Sequence, residues 1–270
     1  MSKLTDKQAL ELWRRYNEGL AKDIDVDESL SRYDIDKKRA ELEADPIAWI
    51  LYFFPSYARY EFAPFHIKAI RRIIANDEWY EVLSWSRELA KSTVAMFVLM
   101  YLTLTKRKRF VALASATIDA AERLLAPYKI NFEKNPRLRQ FYGKQEVLGM
   151  WTDREFSCAC GAKFIALGAG SAPRGMRNEA IRPDIIYSDE DCRNPVTLDK
   201  KWQWAEQALY PTRSISEPTL VLWCGNIIAK DCCIARAGKL ANSWDIVNIR
   251  DKHGRSTWPQ KNTEEQIDRI

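Results

Sequence analysis

Apolar residues recur along this chain in short runs separated by polar turns. Four of these runs predict strands, one ending near residue 84 and the others at 110–114, 184–188 and 219–224. They do not alternate cleanly between apolar and polar residues, which is typical of strands buried on both faces. Helical patterns lie between them, with 94–104 apolar enough for a buried helix. Alternating strands and helices predict an α/β fold whose mostly parallel central sheet is flanked by helices.

Composition divides the chain into three parts. Residues 1–45 carry one apolar helix face followed by a dense run of charge, which predicts a helical N-terminal extension. This extension either docks on the core or serves as an arm that binds a partner. Residues 46–250 hold the strands and helices of the expected core. Residues 251–270 are interpreted as a linker.

Bulk composition narrows the class of protein. The 270 residues include 42 basic and 37 acidic side chains, a net charge of +5 that permits contact with a polyanion without requiring it. No apolar run reaches the ~20 residues of a membrane span, so we expect a soluble intracellular protein. Six irregularly spaced cysteines indicate free thiols. Cys158 and Cys160 fit the turn of a β-hairpin better than a zinc site, because no second ligand pair is evident.

The segment that joins the first strand to the next helix carries the main candidate chemistry. A loop that feeds a helix N-terminus presents backbone N–H groups to an anion. Lys91 supplies a cation for phosphates there, and Ser92 supplies a hydroxyl for Mg²⁺. The strict phosphate-loop pattern has glycine at positions 85 and 90, where this chain has Trp85 and Ala90. The alternative is an ordinary strand-to-helix turn with a surface lysine.

Polar residues follow two further strands. Asp189 and Glu190 come directly after the strand at 184–188, and Asn226 follows the strand at 219–224. In parallel sheets, the carboxyl ends of the strands share one edge, where ligands bind. Asp189 is a candidate to hold Mg²⁺ and Glu190 to activate water. For each of these residues the alternative is an ordinary turn or a helix cap.

Taken in order, these segments resemble the ATPase domain of the large terminase subunit of tailed bacteriophages, a DNA-packaging motor. That family has a variant Walker A loop with an early arginine, matched here by Arg87, and it often lacks the first glycine. The segments that carry the resemblance are 86–92, 114–117, 120–122, 174–175, 182–184, 189–190, 225–226 and 254–259.

The resemblance implies a P-loop NTPase fold of the RecA or ASCE type, with ATP and Mg²⁺ as ligands. It implies Glu190 as the water-activating residue, Arg174 or Arg177 as an arginine finger, and Asn226 as the residue that couples hydrolysis to movement, although the family usually has threonine there. Ser92 and Asp189 would hold Mg²⁺. The implied nucleotide-binding residues are Ser86, Arg87, Glu88, Leu89, Ala90, Lys91, Ser92, Thr93 and His66, the last at a position where related chains often read adenine with glutamine.

The implied function is ATP-driven translocation of double-stranded DNA into a procapsid. The implied partners are the portal protein, the small terminase subunit and further copies of the chain in a ring, in the host cytoplasm and transiently at the portal. Two alternatives stay open: a nucleotide-gated module that binds DNA or portal with little turnover, and a helicase-like translocase of another family. The family usually continues into a nuclease. No further strand-borne set of acids follows residue 259, so we expect no DNA cleavage by this chain.

Overall fold

The structure, a computed structural model, describes residues 6–171, 184–188, 194–213 and 217–269, with the strand at 184–188 described by its backbone. The helices are α1 (Asp6–Lys22), α2 (Arg32–Ala44), α3 (Pro46–Phe53), α4 (Pro64–Ala75), α5 (Lys91–Leu104), α6 (Ile118–Lys134), α7 (Pro136–Tyr142), α8 (Pro195–Trp204), α9 (Cys233–Leu240) and α10 (Glu264–Asp268). The strands are β1 (Trp79–Trp85), β2 (Phe110–Ser115), β3 (Glu146–Trp151), β4 (Glu155–Cys158), β5 (Lys163–Gly168), β6 (Asp184–Ser188), β7 (Leu220–Cys224) and β8 (Ser243–Val247).

These strands form one sheet in the order β3-β4-β5-β2-β6-β7-β1-β8. The pairs from β5 to β8 are parallel, while β4 pairs antiparallel with both β3 and β5. The predicted fold class, a mostly parallel α/β sheet flanked by helices, is therefore confirmed. β7 lies between β1, the strand of the candidate phosphate loop, and β6, the strand that precedes the candidate acids. The hairpin predicted around Cys158 and Cys160 is β4 and β5.

Strand register aligns the ends of β7, β6, β2 and β5, and β1 extends two residues beyond them to Trp85. Leu83 of β1 pairs with Cys224 of β7, Cys224 with Ser188 of β6, Ser188 with Ser115 of β2, and Ser115 with Gly168 of β5. The loops that follow these strands therefore leave the sheet along the same edge. This edge is where a parallel α/β sheet binds ligands.

Helix α5 lies inside the molecule. All of its residues from Val94 to Leu104 are buried, in agreement with the uniformly apolar sequence of that segment. A helix that is apolar all round must pack on all sides. The loop that precedes α5 is therefore joined to a helix that the surrounding core holds in place.

Ser115 and Thr117 are the residue types that cap a helix, and the apolar pattern after them predicts a helix over 118–125. Helix α6 begins there, where the Thr117 side chain accepts from Ala120 N–H, but it continues past Pro127 to Lys134. Buried Leu125, Tyr128 and Phe132 continue one apolar face through the proline. Packing of this face outweighs the hydrogen bond that proline removes.

The N-terminal helices lie on the core. Arg14 of α1 pairs with Asp153 at 2.8 Å, and Arg39 of α2 donates to the carbonyl of Phe141 at 3.0 Å. The three-part division at residues 45 and 250 stays a prediction. Among the described residues, every helix is too short or too polar to cross a membrane.

Candidate functional site

The loop between β1 and α5 has an unusual backbone. Glu88 and Ala90 both adopt the left-handed conformation, with φ of 68° and 58°. The side chain of Leu89 between them is fully buried, and Ser86 N–H donates to the carbonyl of Val247 in β8 at 2.8 Å. Ala90 therefore adopts, at a steric cost, the conformation that glycine would adopt easily at this position of the strict pattern.

Helix α5 begins at Lys91 without a side-chain cap. An uncapped helix N-terminus leaves backbone N–H groups for an outside acceptor, and the helix dipole favours negative charge there. Ser92 and Thr93 stand in this first turn, and the Ser92 side chain is exposed. The backbone arrangement expected of a phosphate-binding loop is therefore present.

Two predicted site residues meet at this helix start. Lys91 Nζ donates to Asn226 Oδ1 at 2.9 Å, although the two residues lie 135 positions apart. Asn226 stands two residues beyond the end of β7, next to β1 in the sheet. Burial raises the pKa of the neighbouring Cys224 thiol to about 12, and the positive charge of Lys91 partly opposes this shift. The lysine of the loop and the polar residue after the adjacent strand thus form one cluster.

His66 supports the loop from behind. Its ring is fully buried; Nε2 lies 3.0 Å from the Leu89 carbonyl, and Nδ1 accepts from Ala63 N–H at 3.1 Å. Burial lowers the pKa of His66 to about 4, which keeps the ring neutral. With Nδ1 as acceptor, Nε2 carries the proton and donates to Leu89. A direct contact between His66 and adenine stays a prediction and requires one of these bonds to break.

A residue from the C-terminal segment also contacts the loop. Lys261 Nζ donates to both the carbonyl and the carboxylate of Glu88, each at 2.8 Å. This hydrogen bond and the charge of Lys261 hold the pKa of Glu88 below its ordinary value. Trp258, three residues earlier, packs edge-on against His66 with ring centroids 4.5 Å apart.

Arg87 faces solvent in the same loop. Its side chain is exposed and makes no hydrogen bond or ion pair to any part of the chain that the structure describes. An unengaged guanidinium beside a helix N-terminus retains all its donors for an anion. The position of Arg87 is consistent with the predicted phosphate contact, which stays a prediction.

A cavity of about 560 Å³ opens beside the loop. Glu88, Ala90, Ser92 and Thr93 line one side of it. The lining also includes aromatic and basic residues, which are Trp13, Tyr16, Tyr57, Arg59, Tyr60, Arg123, Trp258 and Lys261. This volume lies within the range of small-ligand sites. Aromatic side chains and a phosphate-type loop that line one cavity have the chemistry to hold a base and phosphates.

The residues present fit a nucleotide and one ligand of its metal. Ser92 exposes its hydroxyl to the cavity, as a Mg²⁺ ligand must. The second expected ligand, Asp189, lies outside the described residues, as do Glu190, Arg174 and Arg177. Within the described ranges, no group of three or more histidine, cysteine, aspartate or glutamate side chains is arranged to hold a metal ion.

The sequence analysis did not predict the aromatic and basic residues that line the cavity. Tyr57 and Tyr60 follow a proline-ended aromatic run, and Trp13 and Tyr16 belong to the apolar face of α1. Nothing in the local pattern distinguishes such aromatics from ordinary core residues. Lys261 carried no signal either, since its partner Glu88 lies 173 residues away.

Comparison with known proteins shows a structural likeness but no sequence relative. No protein-family model matches the chain, and no curated protein matches it significantly. The crystal structure of the HK97 bacteriophage large terminase is similar, with a TM-score of 0.49 and 12% sequence identity. The match covers 78% of this chain and 48% of the terminase chain, so this chain spans about half the length of that protein. A likeness at this identity and score says nothing about activity.

Proposed function

We propose that this chain is an ATP-binding and ATP-hydrolysing domain. The observation that carries the proposal is the meeting of Lys91 and Asn226 at the uncapped start of α5, beside the 560 Å³ cavity. A cation, backbone donors and a hydroxyl converge there at the carboxyl ends of adjacent parallel strands. This combination matches the needs of a nucleoside triphosphate better than those of an uncharged ligand.

Backbone amides and side chains of the loop have separate roles in phosphoryl transfer. The amides at the start of α5 and the ammonium of Lys91 orient and neutralise the phosphates. Arg87 adds a second cation from the exposed side of the loop. Mg²⁺, when bound through Ser92 and Asp189, supplies further charge neutralisation.

ATP hydrolysis also needs a general base, and coupling to movement needs a residue that responds when the phosphate leaves. Glu190 accepts the proton of the attacking water, and Arg174 or Arg177 supplies charge to the transition state. Asn226 accepts a hydrogen bond from Lys91 and exchanges this contact when phosphates compete for the ammonium. Loss of the phosphate is thereby transmitted to the segment after β7.

The aromatic residues of the cavity lining give the nucleotide an orientation. Tyr60 is 44% exposed at the cavity, and Tyr16 of α1 is 60% exposed. Exposed aromatic faces stack with bases at a gain of ~1–3 kcal/mol per base. Adenine bound among these aromatic residues would place the triphosphate at the start of α5, where Ser92 and Thr93 line the cavity.

The biological role proposed for this activity is packaging of double-stranded DNA by a phage terminase. Its support is the order of motifs along the sequence, from the variant loop at 86–92 to the Trp-Pro segment at 258–259. A ring of copies at a portal, the small terminase subunit as partner and a cytoplasmic location belong to the same proposal.

Steady-state ATP turnover tests the proposal. We expect Mg²⁺-dependent hydrolysis that double-stranded DNA stimulates, and its loss in Lys91→Met and Glu190→Gln. Glu190→Gln keeps nucleotide binding, because the loop that holds the phosphates is intact. Lys68→Met is the matched control, since Lys68 is an exposed lysine of α4 outside the cavity lining. Turnover of Glu190→Gln at the wild-type rate excludes the assigned base, and nucleotide binding without turnover in the wild type favours a nucleotide-gated module.

A further inference from the structure

The contact between Lys261 and Glu88 joins the C-terminal segment to the loop on which the proposed function rests. Lys261 is not a member of the 86–92 motif, and its side chain is 24% exposed. Its ammonium bonds the backbone carbonyl of Glu88 as well as the carboxylate, so the contact fixes main chain and not side chain alone. The ammonium also lies 5.3 Å from the centre of the Trp258 ring.

Two carbonyls of the loop are therefore tied, one by a residue that precedes the loop in the sequence and one by a residue that follows it. Lys261 bonds the Glu88 carbonyl, and His66 bonds the Leu89 carbonyl at 3.0 Å. Trp258 packs against His66 and donates its indole N–H to the Glu61 carbonyl at 2.7 Å. Residues 258–261 thus hold one carbonyl directly and brace the histidine that holds the other.

Tying these carbonyls sets the direction of two amides. In a trans peptide the C=O and the following N–H point in opposite directions, and cis bonds are absent from the described chain. The N–H of Leu89 therefore points away from Lys261, back to the Ser86 carbonyl at 3.4 Å. The N–H of Ala90 points away from His66. A loop carbonyl that loses its donor would repel a nearby phosphate.

We propose that Lys261 is a positioning residue of the phosphate loop, which fixes the Glu88 carbonyl and thereby holds the loop backbone that leads into the start of α5. It acts through Glu88 and not by touching nucleotide. By linkage, nucleotide in the loop stabilises the contact of residues 258–261, and any movement of that segment changes nucleotide affinity by the same factor. The C-terminal segment is thereby coupled to the occupancy of the site.

Hydrogen exchange of the full-length chain without nucleotide tests the positioning. In Lys261→Met we expect faster exchange of peptides covering 86–93 than in wild type. Lys252→Met serves as control, because Lys252 is an exposed lysine of the same segment, and its exchange should match wild type. Unchanged exchange of 86–93 in Lys261→Met overturns the proposal.

Calorimetric titration with Mg-ATP tests the consequence for binding. Loss of a charge-assisted hydrogen bond predicts a Kd about tenfold higher in Lys261→Met. Lys261→Arg retains a donor and should recover most of the affinity. The charge swap Glu88→Lys with Lys261→Glu restores opposite charges but removes the donor to the Glu88 carbonyl, so it should not recover affinity.

The exchange and calorimetry experiments together distinguish the ways in which the proposal could be wrong. Recovery by the charge swap, or a raised Kd with wild-type exchange, shows a side-chain or direct phosphate role for Lys261 and overturns positioning. Faster exchange with an unchanged Kd also overturns it. If the wild-type chain does not bind Mg-ATP, the proposed function fails, and the nucleotide-free exchange experiment still decides whether Lys261 positions the loop.

Discussion

Lys91 donates to Asn226 at 2.9 Å across the carboxyl ends of two adjacent strands. A neutral amide oxygen accepts from the ammonium without cancelling its charge. Asn226→Asp would place a carboxylate there instead, which neutralises Lys91 and repels a phosphate. We expect Asn226→Asp to raise the Kd for Mg-ATP about tenfold or more, as measured by titration calorimetry.

Asn226→Ala is the matched comparison for that change. It removes the acceptor without adding charge, so the affinity should stay within about threefold of wild type, while ATP turnover falls because coupling through residue 226 is lost. Equal affinities of the two variants would show that the charge next to Lys91 is unimportant for nucleotide.

Ala90 has a φ of 58°, where a Cβ atom costs roughly 1 kcal/mol. Ala90→Gly relieves this cost but gains freedom in the unfolded chain. We expect a net increase in the free energy of unfolding of about 0.5 kcal/mol, measured by urea denaturation. Ala95→Gly, inside α5, should instead lower stability by about 1 kcal/mol. A loss of stability in Ala90→Gly comparable to that in Ala95→Gly would contradict the left-handed conformation of residue 90.

Burial of His66 gives the chain a predicted pH dependence. Its pKa of about 4 in the folded protein lies below its ordinary value of 6.5, so the unfolded chain binds more protons between these values. The stabilisation is complete above pH 6.5 and is lost as the pH falls toward 4. Between pH 7 and 5 we expect a loss of about 2 kcal/mol in the free energy of unfolding.

The check on this assignment is His66→Gln, which keeps a donor for the Leu89 carbonyl and does not titrate. Its stability at neutral pH should be lower than that of wild type because ring packing is lost. Between pH 7 and 5, the free energy of unfolding of His66→Gln should fall by much less than the about 2 kcal/mol expected for wild type. A parallel pH dependence in both proteins would assign the effect to other groups.

Tyr60 tests the aromatic part of the cavity lining. If a base stacks there, Tyr60→Ala should raise the Kd for ATP about tenfold and leave the Kd for tripolyphosphate, which has no base, within about twofold. Tyr33→Ala is a fitting control, because Tyr33 is an exposed tyrosine of α2 outside the cavity lining. Equal changes in the Kd values for ATP and tripolyphosphate would show that no base stacks on Tyr60.

Local signals in the sequence were sufficient for the central strands and for the loop. β2, β6 and β7 follow from apolar runs in the sequence, and Thr117 is the cap that its residue type predicts. The position of Lys91 at a helix start also follows from the strand-turn-helix pattern. These features depend on neighbours within a few residues, which a single sequence displays.

Other features depend on distant partners. β8 carries Ser243 and Asp245, weak strand formers that β1 holds in register at the sheet edge. α6 passes Pro127 because its apolar face packs on the sheet. The bonds from Lys261 to Glu88 and from His66 to Leu89 join segments that no local pattern connects. The support behind the loop was therefore beyond prediction from the sequence.

The complete burial of α5 from Val94 to Leu104 has a mechanical consequence. Close-packed interiors have low compressibility, so this helix has no room to shift when ligands enter or leave its N-terminus. Displacement is then expected in other parts of the cavity lining, where α1 exposes Tyr16 and where residues 258–261 lie in an irregular segment. We therefore expect α5 to stay fixed when ligands bind or leave, and α1 and residues 258–261 to be the parts that move.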